Sequence, residues 1–414
     1  MRICDVNNFY SPTGGGVRIY HERKLDYFAD LNRTAYALVV PSERLHIERR
    51  GAVTIAELPA RAIGDGYRAI TRSRELGRFF AEFKPDVVEI GSPYLMPRLV
   101  DRALRLALRR GLEKPAATVG FVHADYPDTY VAPALERSLR GPLRPLRGPL
   151  HQLAERHLGR TYAPMSATFG ASVHVLRKLR RLGLRRLFHT PLGVETHQFT
   201  PAKRDLERRR QLGIADDERV LLFLGRLSRE KGIDLLLSAW PRLAGRPGLR
   251  LVIAGHGPRN AEVAVLALRD PSIVCLDHID DRDEVAGWMA SADLFLSLGA
   301  FETFSLTTLE ALACQTPVLA PQSGGAAELI RQLGAGQIFA DNDPEALCAA
   351  ILRATALDPA TAKRLRSTIE AEYSWDAACR RLHGAYRTIL DAHRNSALAR
   401  LEAPEGWWPA QTSA

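Results

Sequence analysis

Short apolar runs, each closed by a glycine, proline or polar break, recur along the chain, and the stretches between them repeat their apolar residues every three to four positions. In the first half the runs are MRICDVNNF, AYALVVP, DVVEIG, AATVGFVH and SATFGAS; in the second they are RVLLFLG, LRLVIAG, SIVCLDH, ADLFLSL and TPVLAP. Runs that are apolar throughout predict strands buried on both faces, hence parallel sheets covered by helices. The predicted class is α/β, with two doubly wound domains. The alternation lapses across TPLGVETHQFTPAKRD (190–205), where proline, glycine and charge interrupt it. A first domain over residues 1–192 and a second over 193–375 follow. The segment WDAACRRLHGAYRTILDAH (375–393) has helical periodicity. The tail at 394–414 has two prolines and no periodic face, so loose order is expected there.

Length agrees with this division, because 414 residues exceed one typical core. No window approaches 18 uninterrupted apolar residues, and the first residues already read as a strand, so neither a membrane span nor a cleaved leader is expected. A cytoplasmic protein is the expectation. Five scattered cysteines, Cys4, Cys275, Cys314, Cys348 and Cys379, lack metal-ligand spacing and read as reduced packing residues.

The net charge of +10 is unevenly spread. Residues 1–190 hold 32 Lys and Arg against 18 Asp and Glu, and residues 137–190 hold 12 basic residues against one acidic residue, Glu155. Such asymmetry points to an anionic partner. RLVDRALRLALRR (98–110) and RKLRRLGLRRL (177–187) interleave arginine with leucine at helical spacing, which favours an anionic membrane surface over nucleic acid. The plainer alternative is that these arginines form ordinary solvated faces.

Candidate chemistry concentrates in FETFSLTTLEALACQTPVLA (301–320), where Glu302 and Glu310 stand eight positions apart. On one helix they would diverge by roughly 80°. A strand at 292–298, a turn at 299–305 and a helix at 306–314 capped by Ser305 place Glu302 in the loop and Glu310 on the helix. The helix start favours an anion, and carboxylates accept from sugar hydroxyls, so a ligand carrying both phosphate and sugar fits. Left to itself, Glu310 also reads as a solvated helix residue.

Other turns bear on the choice. LFLGRLSREKGIDLLLSAW (222–240) carries Arg226 and Lys231 around one glycine turn, so both cations can converge on a diphosphate. LVIAGHGP (251–258), APQSGGAAELI (320–330) and NNFYSPTGGGVRIYHERK (7–24) repeat the strand-to-glycine pattern, the last without the dinucleotide spacing. The DND at 341–343 precedes PEALCAAIL and reads as a turn and helix cap rather than a metal site.

Taken in order, GGGVRIY, FVHADYP, PLGVETHQF, FLGRLSREKGIDLL, IAGHGP, FETFSLTTLEALACQTPVLAPQSGGAAE and the final Trp-led helix resemble the retaining GT-B glycosyltransferases of family 4. The resemblance covers nearly the whole chain. It implies two Rossmann-like domains facing a central cleft, the first binding acceptor and completed by a helix at 376–393, the second binding a nucleotide sugar. Arg226 and Lys231 would then neutralise the donor diphosphate, and Glu310 would bind ribose hydroxyls. Glu302 and His123 would face the donor sugar from different domains, which implies closure. The N–H groups of Phe304, Ser305 and Leu306 would contact sugar and phosphate. Gly15 and Gly16 would approach the diphosphate, and Ile279 would cradle the base. The H-x-D-x-P of His123, Asp125 and Pro127 looks like the branch that glycosylates lipid or lipid-linked acceptors, with Asp125 and Tyr126 near the acceptor.

One departure stands out: the family usually has glycine where Thr303 and Ser305 stand. The implied reaction moves a hexosyl group from a nucleoside-diphosphate sugar to a hydroxyl of a lipid-linked, glycolipid or envelope polysaccharide acceptor, with retention. No metal or other cofactor is expected. A nucleotide-sugar epimerase or hydrolase on the same fold, or a non-catalytic nucleotide-sugar or lipid-binding subunit, are the alternatives. Attachment at the inner membrane face would follow from the basic first domain.

Overall fold

The computed structural model describes residues 1–11, 15–64, 67–396 and 398. The chain divides into two compact units, one formed by Met1–Pro191 with the residues from Ala378 onward, the other by Leu192–Ala377. Apart from 394–396 and 398, the expected loose tail lies outside the described residues.

In the first unit the strands are β1 (Arg2–Val6), β2 (Ala35–Ser42), β3 (His46–Arg50), β4 (Val53–Pro59), β5 (Arg61–Gly64), β6 (Tyr67–Ala69), β7 (Val87–Ile90), β8 (Ala117–Val122), β9 (Ala167–Gly170) and β10 (Leu187–His189). Eight of them form one sheet in the order β10-β9-β8-β7-β1-β2-β4-β3, while β5 and β6 make a separate hairpin. Pairing is parallel except where β3 runs antiparallel to β4 at the edge. Strand order reverses at β1, which pairs with both β2 and β7, so the loops leaving β1 and β7 diverge around a crevice.

The arginine-rich helices of this unit each pack one side into the core, although Leu108 stays 39% exposed. Met96–Leu108 buries Met96, Val100, Ala103, Leu104 and Ala107, and Val173–Arg181 buries Val175, Leu176 and Leu179. Both segments read from sequence as membrane-facing are therefore core helices whose arginines are the solvated side.

The second unit comprises β11 (Arg219–Leu224), β12 (Leu249–Ala254), β13 (Ile273–Leu276), β14 (Leu294–Leu296), β15 (Val318–Pro321) and β16 (Gly336–Phe339). All are parallel, in the order β13-β12-β11-β14-β15-β16. Order reverses between β11 and β14, so the loops that follow those two strands flank the crevice where open α/β sheets take ligands. Cys4, Cys314, Cys348 and Cys379 are buried and Cys275 exposed, all with free thiols. Asp343 accepts from the N–H groups of Glu345 and Ala346 at 2.9 and 3.1 Å, the helix cap read from sequence.

Candidate active site

At the switch point of the second unit, the loop after β11 supplies Lys231 and the loop after β14 supplies Glu302. Lys231 Nζ lies 2.6 Å from Glu302 Oε1. Arg226 shares the Lys231 loop, more than half exposed, with Glu230 3.9 Å away. The loop after β12 supports this one: Leu227 N–H donates to the His256 carbonyl at 3.0 Å. Gly255 sits at φ +140°, and a Cβ there would run into the Gly225 carbonyl oxygen, so backbone stacks directly on backbone. A cavity of about 310 Å³ opens beside the stacked turns, lined by Gly225, Arg226, Gly255, His256, His278 and Ile279. Ile279 also borders a second cavity of about 520 Å³, together with Asp277, Asp280, Arg208 and Trp288.

The helix Leu306–Ala313 begins at this crevice. Its first N–H groups have no partners within the helix and carry the positive end of its dipole. Ser305 occupies the N-cap position, but the expected side-chain cap is absent. Its backbone is left-handed, φ 73° and ψ 81°, which turns the hydroxyl away from the helix N–H groups. That hydroxyl lies 2.8 Å from Thr308 Oγ1 and 3.3 Å from Ser297 Oγ, and Thr308 donates to Ser297 at 2.9 Å, all three buried. A left-handed residue explains why glycine is usual at this position; here serine is held by a hydroxyl cluster. Phe304 is buried under the helix Gly324–Leu333, where a Cβ on Gly325 would come within 2.5 Å of the Phe304 Cα.

Glu310 is not the solvated residue its position on a helix allows, being 3% exposed. Arg282 Nη2 donates to its Oε1 at 2.6 Å, and the Arg282 guanidinium lies 4.7 Å from the Phe199 ring centroid. The second carboxylate oxygen, Oε2, is buried with no hydrogen-bond partner among the described residues. A buried carboxylate oxygen left bare is costly, so this atom is an acceptor waiting for a donor. Arg282 was missed in the sequence because DDRDE reads as an ordinary charged turn. Only the apolar run before it hinted that the turn leaves a strand end.

In the first unit His123 follows β8. Its ring stacks on Phe121 at 4.3 Å and lies 5.2 Å from Tyr20 and 6.1 Å from His21, centroid to centroid. Burial, then the charges of His21 and Lys24, hold its pKa well below the ordinary histidine value, so the ring is neutral at neutral pH. Gly15 precedes the helix Gly16–Ala29, with open space where its Cβ would be. Asp125 and Tyr126 are both buried and engaged internally: Asp125 binds Lys178 Nζ with both oxygens at 2.8 Å, and Tyr126 donates to the Ala154 carbonyl at 3.0 Å.

Beneath His123 lies a buried polar network absent from the sequence reading. Lys24 Nζ is 2.6 Å from Asp5, 3.2 Å from Glu89 and 2.7 Å from the Tyr386 hydroxyl. Tyr386 in turn donates to Glu89, Tyr36 to Asp5 at 2.6 Å, and Asn7 Nδ2 lies 2.9 Å from His21 Nε2. Burial and the neighbouring Asp5 push the Glu89 carboxyl up to about 7, despite Lys24. Its sequence signal was available, since RICDV and DVVEIG each place a carboxylate inside an apolar strand.

With this geometry in view, comparison with known proteins is decisive. The model of the family described as glycosyl transferases group 1 matches residues 205–373. A GDP-mannose-dependent alpha-(1-6)-phosphatidylinositol dimannoside mannosyltransferase of Mycobacterium tuberculosis is 32% identical over 384 residues, spanning 91% of this chain and 94% of that relative. The chain belongs to the glycosyl transferases group 1. A GDP-mannose-dependent alpha-mannosyltransferase of Mycolicibacterium smegmatis is 28% identical over 410 residues, covering 94% of this group 1 chain and 98% of the relative. The sucrose-phosphate synthase of Thermosynechococcus elongatus shares the GT-B fold, with a TM-score of 0.71 at 19% identity over 94% of this chain and 99% of its own. Group 1 membership makes the chain a glycosyltransferase using a nucleotide-sugar donor, in agreement with the resemblance read from its motifs.

Proposed function

We propose that the chain transfers a mannosyl group from GDP-mannose to a hydroxyl of a mannosylated phosphatidylinositol or a related glycolipid, with retention at the anomeric carbon. The GDP-mannose dependence and lipid acceptor of the Mycobacterium tuberculosis relative support this choice of substrates. The observation that carries the donor site is the bare, buried Oε2 of Glu310 beside an anion-favouring helix start and two cations. Ribose hydroxyls would donate to Glu310, and the diphosphate would be met by Arg226, Lys231 and the N–H groups from Phe304 to Leu306. In that arrangement Lys231 is shared between Glu302 and the phosphate.

In the reaction, the bond between the anomeric carbon and the diphosphate oxygen breaks while the acceptor oxygen bonds to the same face of that carbon. The acceptor proton passes to the departing diphosphate oxygen, so no protein nucleophile is needed. Catalysis rests on charge stabilisation of the leaving group and on positioning. We assign the positive charge to Arg226, Lys231 and the helix terminus, without a metal ion. His123, neutral, would serve as a hydrogen-bonding partner of the sugar. Among the described residues no helix is long and apolar enough to cross a membrane.

The test is thermal stabilisation by GDP, UDP and ADP on the wild type and on Glu310→Gln. In the variant the amide oxygen goes to Arg282 and the NH₂ faces the ribose, replacing an acceptor by a donor. A loss of about 1.5–3 kcal/mol in nucleotide binding is expected. GDP stabilising the wild type most, and the variant little, supports the proposal; preference for UDP or ADP rejects GDP-mannose. Donor consumption that is the same with and without glycolipid would favour a hydrolase.

A further inference from the structure

The stretch Gly141–Leu146 is a turn of 3-10 helix that leads directly into the helix Arg147–Tyr162. Residues His151, Ala154, Glu155, Leu158 and Tyr162 share one side of that helix at about 100° per residue. This side holds the unit: His151 lies 2.7 Å from Asp128, Ala154 accepts from Tyr126 at 3.0 Å, Glu155 lies 3.4 Å from Lys178, and Leu158 and Tyr162 are buried. The opposite side carries Leu146, Leu150 and Leu153, 49%, 40% and 57% exposed, with Leu143, 50% exposed, one 3-10 turn before Leu146. Four leucines thus form one open stripe.

Charge accompanies it. Residues 137–160 contain six arginines and a single acidic residue, Glu155, which is already turned toward Lys178. Arg147 is used structurally, donating to the carbonyls of Leu139 and Glu136 at 2.8 and 2.9 Å, and so fixes the approach to the helix. Arg137, Arg140, Arg144, Arg156 and Arg160 remain exposed around the leucines.

We propose that this stripe is the surface by which the protein docks on an anionic lipid bilayer, the leucines entering the headgroup boundary and the arginines meeting lipid phosphates. A helix with isolated large apolar residues on one side and cations flanking them needs no shape-complementary groove, only a fluid anionic interface. The surface is distinct from the two arginine-leucine helices Met96–Leu108 and Val173–Arg181, each of which packs one side into the core. The inference extends the glycolipid-acceptor reading, yet it rests on its own observations.

The experiment is co-sedimentation of the full chain with vesicles of phosphatidylcholine alone or mixed with phosphatidylglycerol, at low and high salt. Two variants are compared with the wild type: Leu150→Gln/Leu153→Gln and Arg140→Gln/Arg144→Gln. The wild type should pellet with the anionic vesicles and less so as salt rises. Each pair should weaken partitioning, the arginine pair roughly 30-fold at about one kcal/mol per charge. All substituted residues are exposed, so unchanged thermal midpoints will show intact folding. Equal vesicle binding by wild type and variants, or none by the wild type, overturns the proposal. So does a concentration-dependent dimer in sedimentation velocity that the leucine pair abolishes, because it would assign the stripe to a second copy. Transfer to a short-chain, water-soluble glycolipid should persist in both variants. Its absence in a wild type that still binds vesicles would defeat the acceptor reading and leave the docking surface standing.

Discussion

Ser305 allows a prediction in which backbone and hydroxyl contributions separate. Its φ of 73° places a non-glycine residue in the left-handed region, at a cost of about 1–2 kcal/mol. The hydroxyl compensates through Thr308 and Ser297, and each such bond contributes roughly 0.5–1.5 kcal/mol. Ser305→Ala and Ser305→Gly both delete the hydroxyl, and in both the 2.9 Å bond between Thr308 and Ser297 can remain. Only glycine also removes the backbone strain. The Gly variant should therefore unfold within about 1 kcal/mol of the wild type, while the Ala variant should lie about 1–2 kcal/mol below the Gly variant. For a unit of this size, that difference is about 2–8 °C in thermal midpoint, readable by calorimetry with and without nucleotide. Equal midpoints for the two variants would refute the reasoning, since they would mean that the left-handed backbone carries no strain. Because the same residue sets the direction of the Phe304 to Leu306 N–H groups, the Gly variant should keep its nucleotide response.

Lys231→Ala should abolish sugar transfer while far-UV circular dichroism stays unchanged; full turnover would remove Lys231 from the diphosphate assignment. Lys24→Met leaves Asp5 and Glu89 buried without their shared cation, and a loss of about 3–5 kcal/mol is expected in denaturant unfolding. Glu89 is raised from 4.5 to about 7 in the folded protein, so the native state binds the extra proton between those values and stability falls as pH rises through that window. Glu89→Gln should flatten that part of the stability profile, and an unchanged slope would exclude Glu89 as its source. The His123 resonances should show no protonation step between about pH 6 and 8 by NMR, since burial, His21 and Lys24 all favour the neutral ring.

Much of the architecture was legible because buried parallel strands are apolar throughout. Strands β11, β12 and β13 emerge directly from RVLLFLG, LRLVIAG and SIVCLDH. Most of those that escaped were short or polar, the exception being the seven-residue VTIAELP of β4, whose alternating pattern differs from the continuous apolar runs. HIERR pairs antiparallel at a sheet edge, where solvent tolerates charge, and GQIF is a glycine-led edge strand of four residues. The separation of Glu302 and Glu310 into loop and helix was readable from the turn between them. The burial of Glu310 was not, because it depends on Arg282 and Phe199, which are distant in sequence. Likewise, arginine-leucine spacing reveals an amphipathic helix but not which of its sides is covered. A run of four open leucines lies in LRGPLRPLRGPLHQL, where prolines break the periodicity that would have drawn attention to them.

Tyr386 closes the Lys24 and Glu89 network from the helix Trp375–Arg394, the last one among the described residues, although every other member comes from the first ninety residues. During synthesis, β1, the helix Gly16–Ala29 and β7 emerge early and must hold two carboxylates and a lysine without that phenol, while the whole of Leu192–Ala377, a separate compact unit, is being made. The N-terminal unit is thus expected to mature second, although it is translated first. A released chain truncated before residue 386 should show a protease-resistant second unit and a still-labile first one.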